Sequence, residues 1–489
     1  MKRWSVTFHG LLVLASVVAT EARAASPDGP WNVLFIAVDD LRPELGCYGV
    51  DYAQSPAIDR LAAQGMTFTN HFVQVATCGA SRYALLTGRS PSRSGAMSNQ
   101  AAYAGPAKLS HEQLPSAQTL PELFRRSGYQ TVCIGKISHT PDGRVYAYDG
   151  RGDGHPELPH AWDELPTPFG PWERGWGAFF AYAGGRHRED RKGHRDLMEF
   201  VAEKDDDLPD GMMASAAVAK LRSMQADSKP FFLGLGFFKP HLPFVATKGD
   251  WEAVARTPVP PPPHPGKGAT AYWHRSNEFN GYAAPFQKGT PLGRDDSVKA
   301  RRAYLACVRY VDRQIGRVLA AVDELGLSDN TIVVLWGDHG WHLGDTAIWG
   351  KHTPLERAMH GPLILRVPGM TKPGARSDAL VETLDIYPTL IDICRPSFTK
   401  TAHLLDGVSL VPVLTGTRDR VRDAATSYWG GAITVRTATH RLIVTPDTSG
   451  GQPTKVELYD MREGPDPIEN LADHDPALVK QLMKLLPQR

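Results

Sequence analysis

Five cysteines in 489 residues, Cys47, Cys78, Cys133, Cys307 and Cys394, are few and odd in number. They cannot complete a disulfide framework, so at least one of them has another fate. Net charge is also lacking: 54 Lys+Arg against 53 Asp+Glu leave a formal +1. No global field draws nucleic acid or an anionic membrane, and any anion recognition must be local. Long apolar runs are missing too. The run from Leu11 to Val18 is too short to cross a bilayer and stay there. It stands in "MKRWSVTFHGLLVLASVVATEARAAS", between Lys2-Arg3 and Ala22-Arg23-Ala24, and reads as a secretory signal peptide over residues 1–24. The expected mature protein is exported, periplasmic or secreted, without a transmembrane segment. No internal repeat of solenoid length is present.

What remains is ordinary globular composition, 42% hydrophobic and 22% charged, in a chain long enough for one large domain and an attached subdomain. "WNVLFIAVDD", "KPFFLGLGFFKPH" and "NTIVVLWGDHG" are apolar runs that end in ionisable residues, as buried parallel strands do where ligands gather. Helical patterns lie between them in "SPAIDRLAAQG", "TLPELFRRSG" and "VKARRAYLACVRYVDRQIGRVLAAVDELG". Strand alternating with helix predicts an α/β fold whose mostly parallel sheet is covered on both faces. Shorter alternating stretches after about Val411, "AITVRTATHRLIVTP" and "KVELYDM", and a final helix near "DPALVKQLMKLL" predict a small C-terminal α+β subdomain over 411–489. Two irregular tracts, about His139 to Arg195 and Pro258 to Gly266, read as binding walls or surface connectors.

Taken alone, Asp39-Asp40 at a strand end is a helix cap or a solvated turn. Asp338-His339 occupies the same place on another strand, however, and carboxylates from both segments could converge on one hard cation. Buried carboxylates persist only when paired or coordinated.

Around Cys78 the stretch "VATCGASRYALLTGRSP" resembles the sulfatase signature at every defined position: Cys78, Ala80, Ser81, Arg82, Leu86, Thr87, Gly88 and Arg89. The likeness extends over nearly the whole mature chain. "VDDLRPELGCYG", "GFFKPHLPF", "GDHGWHLGD" and "WGKHTPLE" are most similar to the iduronate-2-sulfatase-like branch. The resemblance implies an alkaline-phosphatase-like sandwich, with a catalytic domain at 25–410, and a hydrolase of sulfate esters in O-sulfated carbohydrates. It also implies that a formylglycine-generating maturation enzyme oxidises Cys78 to formylglycine. One Ca2+ is then held by Asp39, Asp40, Asp338, His339 and residue 78; the histidine departs from calcium's preference for oxygen. In the same pattern Lys136 and His139 of "GKISH" face the sulfate and the formylglycine hydroxyl. His241 and Lys351 approach from the opposite side, and Arg82 offsets negative charge beside the nucleophile. The hydrate oxygen attacks sulfur, His241 protonates the departing alcohol, and His139 takes the proton that regenerates the aldehyde. Rival readings are a phosphonate monoester or phosphodiester hydrolase on the same scaffold, or a carbohydrate-binding pseudoenzyme that keeps its thiol. For the sugar itself, Trp162, Trp172, Trp176 and Trp349 are candidate stacking platforms. Arg186, His187 and Arg188 are candidate contacts to a carboxylate or second sulfate.

Overall fold

Asn32–Val38 (β1) is apolar on both sides because it lies at the centre of a sheet with a core on each face. Leu34, Ile36 and Val38 enter one core, and Val33, Phe35 and Ala37 enter the other. The computed structural model describes Met1 and residues 30–487 except 228, 284 and 287–290. The signal peptide expected at 1–24 falls, Met1 apart, outside the described residues.

The remaining strands of the sheet are Met66–Phe72 (β2), Gln130–Gly135 (β3), Phe231–Phe237 (β4), Thr331–Gly337 (β5), Leu363–Arg366 (β6) and Ala375–Glu382 (β7). Their order across the sheet is β7-β2-β6-β5-β1-β4-β3, and of these strands β6 alone runs antiparallel to its neighbours. On one face pack the helices Pro56–Gln64 (α1), Pro209–Asp227 (α4) and Arg294–Glu324 (α5). On the other pack Cys78–Thr87 (α2), Leu120–Arg126 (α3) and Ile386–Cys394 (α6). The expected α/β fold with a mostly parallel sheet covered on both faces is observed. A second, antiparallel sheet of Ala425–Trp429 (β8), Ala432–Arg436 (β9), His440–Thr445 (β10) and Lys455–Asp460 (β11), with helix Pro476–Met483 (α7), completes the chain.

Register decides where chemistry can occur. Val38 lies opposite Gly337 of β5 and Phe237 of β4, while Gly135 of β3 lies opposite Gly236. Four adjacent parallel strands therefore end side by side. The residues that follow them, Asp39-Asp40, Asp338-His339, Lys239 to His241 and Lys136 to His139, spill over one edge, the place where open α/β sheets bind ligands.

The close approach of β3 and β4 at that edge demands glycine. A Cβ on Gly236 would stand 2.1 Å from the carbonyl oxygen of Lys136, with backbone rather than a flexible side chain in the way. Gly236→Ala is expected to destabilise the fold by about 1–3 kcal/mol, read as a lowered urea midpoint, because the Lys136 backbone must shift. An unchanged midpoint would show that the edge yields.

Candidate active site

Asp39 and Asp40 turn the chain away from β1, and Asp40 takes the left-handed conformation, φ 60°. A non-glycine residue adopts it only when its surroundings impose it. The Asp40 N–H donates to Asp338 Oδ1 at 3.0 Å, and the Tyr304 hydroxyl on α5 donates to the Asp40 carbonyl at 2.9 Å. That hydroxyl accepts from the Arg42 N–H at 3.0 Å. One tyrosine thus fixes both sides of the turn, and the Asp40 N–H ties it to Asp338.

Cys78 opens α2. Asn99 Oδ1 accepts from the Gly79 N–H at 2.9 Å, and the Ser81 hydroxyl donates to the Asp338 carbonyl at 2.5 Å. At the other end of α2, Gly88 supplies the left-handed cap, φ 67°, with its N–H on the Ala84 carbonyl. Of the signature residues, Ser81 thus holds the start of α2 against the sheet edge and Gly88 ends the helix. Cys78 Sγ lies 3.3 Å from Asp39 Oδ1, 3.3 Å from His339 Nε2 and 3.6 Å from Lys351 Nζ.

Positive charge closes the site. Arg82 reaches Asp338 Oδ2 at 2.9 Å and Asp39 Oδ1 at 3.6 Å, while Lys136 Nζ donates to Asp39 Oδ2 at 2.5 Å. Lys351 Nζ donates to Asp40 Oδ1 at 2.8 Å. Burial opposes ionisation of Asp39, yet Lys136, His241, Arg82 and Lys351 hold its carboxyl well below the usual range. Burial dominates at Asp40 and pushes it up to about 7 despite Lys351. Burial, joined by Asp39, drives the Cys78 thiol far above its ordinary value. An unmodified thiol here stays protonated and is a poor nucleophile.

One ligand atom each from Asp39, Cys78, Asp338 and His339 lies within 4.8 Å of the others, and Asp40, Cys78 and His241 form a second such group. Buried carboxylates and an imidazole meeting at one point suit a divalent cation, so the residues fit the metal that the resemblance implies. His339 Nδ1 is 3.0 Å from the Gly340 carbonyl, which leaves Nε2 facing the cluster.

His241 Nδ1 is 2.7 Å from the Leu242 carbonyl, and its Nε2 lies 3.7 Å from Asp40 Oδ2. His139 is buried, with both ring nitrogens lacking a hydrogen-bond partner among the described residues, and its ring lies 5.1 Å from that of Trp176. Burial, then Lys136, keeps it neutral. Two buried nitrogens left open mark a place for a polar partner that the described residues do not supply.

Glu278 was not singled out by sequence reasoning. Its Oε1 is 3.2 Å from His241 Nε2 and its Oε2 is 3.6 Å from Lys351 Nζ. It sits in an aperiodic loop among Trp, His and Asn, where no pattern marks one carboxylate above another. The candidate sugar platforms need correction. Trp172 and Trp176 are buried and donate their indole N–H to the carbonyls of Tyr182 and Tyr146. Trp162 packs on Phe232, and Trp349 stacks on Phe279. The first three anchor the irregular tract. The candidate cations are also engaged: Arg186 with Glu199, and Arg188 with Glu189 and the Tyr282 hydroxyl over the Phe180 ring, while His187 is buried.

Comparison with known proteins agrees with this geometry. The family model described as Sulfatase matches residues 31–394, and that described as N-sulphoglucosamine sulphohydrolase, C-terminal, matches 337–489. The chain is 33% identical to iduronate 2-sulfatase of Homo sapiens over 426 residues, 83% of this chain and 72% of that protein. It is 32% identical to a sulfatase of Formosa agariphila over 374 residues, 74% of this chain and 69% of that one. Among solved structures, phosphonate monoester hydrolase from Silicibacter pomeroyi superposes with a TM-score of 0.70 at 23% identity, covering 93% of this chain and 94% of that one. A structure bound to D-glucosamine-2-N,6-O-disulfate gives 0.69 at 22%, covering 94% and 96%. These two likenesses concern the alkaline-phosphatase-like fold.

The Tyr304 hydroxyl offers a direct test of how the site is held. Tyr304→Phe leaves the Arg42 N–H and the Asp40 carbonyl without their partner, at a cost of about 1–3 kcal/mol by chemical denaturation. Metal affinity should fall with it, because Asp40 is released from its left-handed conformation; unchanged affinity would show that Asp338 alone holds the turn.

Proposed function

The chain belongs to the sulfatase family and is a sulfuric ester hydrolase, and from that premise we propose that it cleaves O-sulfated carbohydrates with a formylglycine made from Cys78 and one calcium ion. The observation that carries this reading is the meeting of Asp39, Asp40 and Asp338 with Arg82, Lys136 and Lys351 around residue 78. Asp39, Asp40, Asp338 and His339, with residue 78, would hold the metal. Formylglycine supplies, as its hydrate, an oxygen nucleophile and a second hydroxyl; calcium supplies charge that makes that oxygen more acidic.

The chain's own side chains do the remaining work. Lys136 and Lys351 bind the sulfuryl oxygens, and Arg82, buried on Asp338 and Asp39, offsets negative charge beside residue 78; all three are in place before the transition state, where the sulfuryl group spreads its charge. His241, with its Nδ1–H donating to the Leu242 carbonyl, presents Nε2 to the departing sugar oxygen. Burial favours its neutral ring and Glu278 at 3.2 Å favours the cation; it is the cationic ring that gives its Nε2 proton to that oxygen. His139, its ring neutral and without a hydrogen-bond partner among the described residues, accepts a proton from the hydroxyl of residue 78. Export to the periplasm or beyond, and maturation of Cys78 by a formylglycine-generating enzyme, belong to the same reading. Among the described residues no helix is long and apolar enough to cross a membrane.

Protein from a maturing host is expected to carry an aldehyde at residue 78 by peptide mass spectrometry, and Cys78→Ala should lose turnover by about 1000-fold or more while keeping its melting curve. Full activity with a free thiol at 78 would overturn the nucleophile. Chelation should abolish turnover and added Ca2+ restore it, with Asp338→Asn down by about 100-fold or more. Elemental analysis without calcium, or indifference to chelator, would remove the metal. Turnover of phosphonate or phosphate diesters in preference to sulfate esters would favour the rival hydrolase.

A further inference from the structure

A cleft of about 350 Å3 opens beside the reacting residues, lined by His274, Asn277, Glu278, Trp349, His352 and Trp429 among others. It reaches the site through two contacts: Cys78 Sγ to Lys351 Nζ at 3.6 Å, and Lys351 Nζ to Glu278 Oε2 at 3.6 Å. Whatever is attached to a sulfate held at Lys351 therefore stands next to Glu278.

The charge of this cleft is unusual for a pocket serving an anionic ester. Among the described residues no lysine or arginine lines it, and Glu278 is its one carboxylate. Lys351 sits beneath it, but that ammonium is closer to Asp40, at 2.8 Å. His274 is neutral by its hydrogen bonds: Nδ1 accepts from the Ser276 N–H at 3.0 Å, so Nε2 donates to the Lys351 carbonyl at 2.7 Å. His352 stacks on Trp429, centroids 4.9 Å apart and planes within 16°. The wall is flat and aromatic, and the polar groups beside it are the Ser276 hydroxyl, which accepts from the Trp349 N–H, the Asn277 amide and the Glu278 carboxylate, whose inner side faces His241 and Lys351. Such a surface holds a sugar ring by its face and accepts hydrogen bonds from hydroxyl or ammonium groups, while a second anion there meets like charge.

We propose that Glu278 and Asn277, with Trp349 and the Trp429–His352 stack, form the leaving-sugar subsite and select sugars bearing hydroxyl or ammonium donors, rather than a carboxylate or second sulfate, beside the scissile ester. The proposal rests on the sulfatase reading. It also reassigns specificity from Arg186 and Arg188, which line no part of this cleft, to a loop carboxylate and a tryptophan of β8.

The test uses mature, metal-loaded enzyme and a panel of glucosamine, N-acetylglucosamine and N-sulfoglucosamine O-sulfates, iduronate 2-sulfate, and 4-nitrocatechol sulfate as the aryl control. In wild type, kcat/KM for the best neutral or amino sugar should exceed that for the best ester with a neighbouring anion by about tenfold or more. Glu278→Gln should narrow that ratio at least several-fold, and Glu278→Asp should keep it nearer wild type. A wild-type preference for iduronate 2-sulfate or an N-sulfated sugar, or a ratio unchanged in Glu278→Gln, overturns the subsite. Loss of all turnover, the aryl ester included, by aldehyde-bearing wild type overturns the sulfatase reading instead. NMR titration with unsulfated glucosamine and glucuronate then still decides the cleft. Glucosamine must bind more tightly than glucuronate and lose that advantage in Glu278→Gln, and equal binding of the two refutes the proposal.

Discussion

Three carboxylates held away from water set the terms for this molecule. Asp39, Asp40 and Asp338 are each at most 1% exposed, and three such charges at one sheet edge would repel one another or take up protons. They are tolerated because Arg82, Lys136 and Lys351 come from three other segments to meet them. Burial alone would discharge the two lysines, yet Asp39 at Lys136 and Asp40 at Lys351 keep their pKa values above the ordinary range. The sheet edge, the start of α2 and the loop after β5 are therefore mutually dependent. Removing one charge leaves its partners buried and unpaired, which costs far more than the pair contributes.

The same logic recurs one layer behind. Arg42, two residues beyond Asp40, pairs with Glu44 at 2.6 Å and Asp345 at 2.7 Å, and Arg301 of α5 joins Glu44 at 2.7 Å. All four side chains are at most 3% exposed. This network does not reach Cys78. It ties the segment after β1 to the loop after β5, so the two carboxylate-bearing turns are fixed relative to each other by charge as well as by the β1–β5 register. Such a network costs desolvation, and what it provides is a fixed geometry rather than added stability.

Much of this was legible in the chain. Apolar runs ending in Asp, His and Lys identified β1, β4 and β5, since a strand buried on both faces has no alternation to mislead the eye. The amphipathic pattern of α5 and the Ser-Pro start of α1 were equally plain. The ten residues read as reacting or metal-holding do come together, with His139 set apart by the absence of any hydrogen bond from its ring among the described residues. The periphery was not legible. Trp162, Trp172 and Trp176 look alike in sequence whether they stack on a sugar or fill a loop's small core, because both uses exploit the same flat apolar surface. Arg186 and Arg188 could not be told from free cations, since Glu199, 13 residues away from Arg186, lies beyond any local pattern. Glu278 was invisible for the converse reason: its partners, His241 and Lys351, lie 37 residues before and 73 after it.

The C-terminal sheet shows how far the site extends beyond the charged residues at the sheet edge. Strand β8 lies alongside the segment before Cys78: the Tyr428 N–H donates to the Gln74 carbonyl at 2.7 Å, and the Ser427 hydroxyl donates to that of Val73 at 2.6 Å. On the far side, Arg436 and Arg441 both grip Glu356, five residues after Lys351, in a setting where burial would otherwise raise a carboxylate that they hold at about 2. One sheet thus braces the approach to residue 78 and the loop that carries Lys351, and it lays Trp429 against His352 between them. A change in its strands can alter both the alignment of residue 78 with Lys351 and the aromatic wall formed by Trp429 and His352. A fold that keeps the sheet edge constant can therefore vary its substrate by varying a peripheral sheet and one loop, without disturbing the buried charges on which the edge depends.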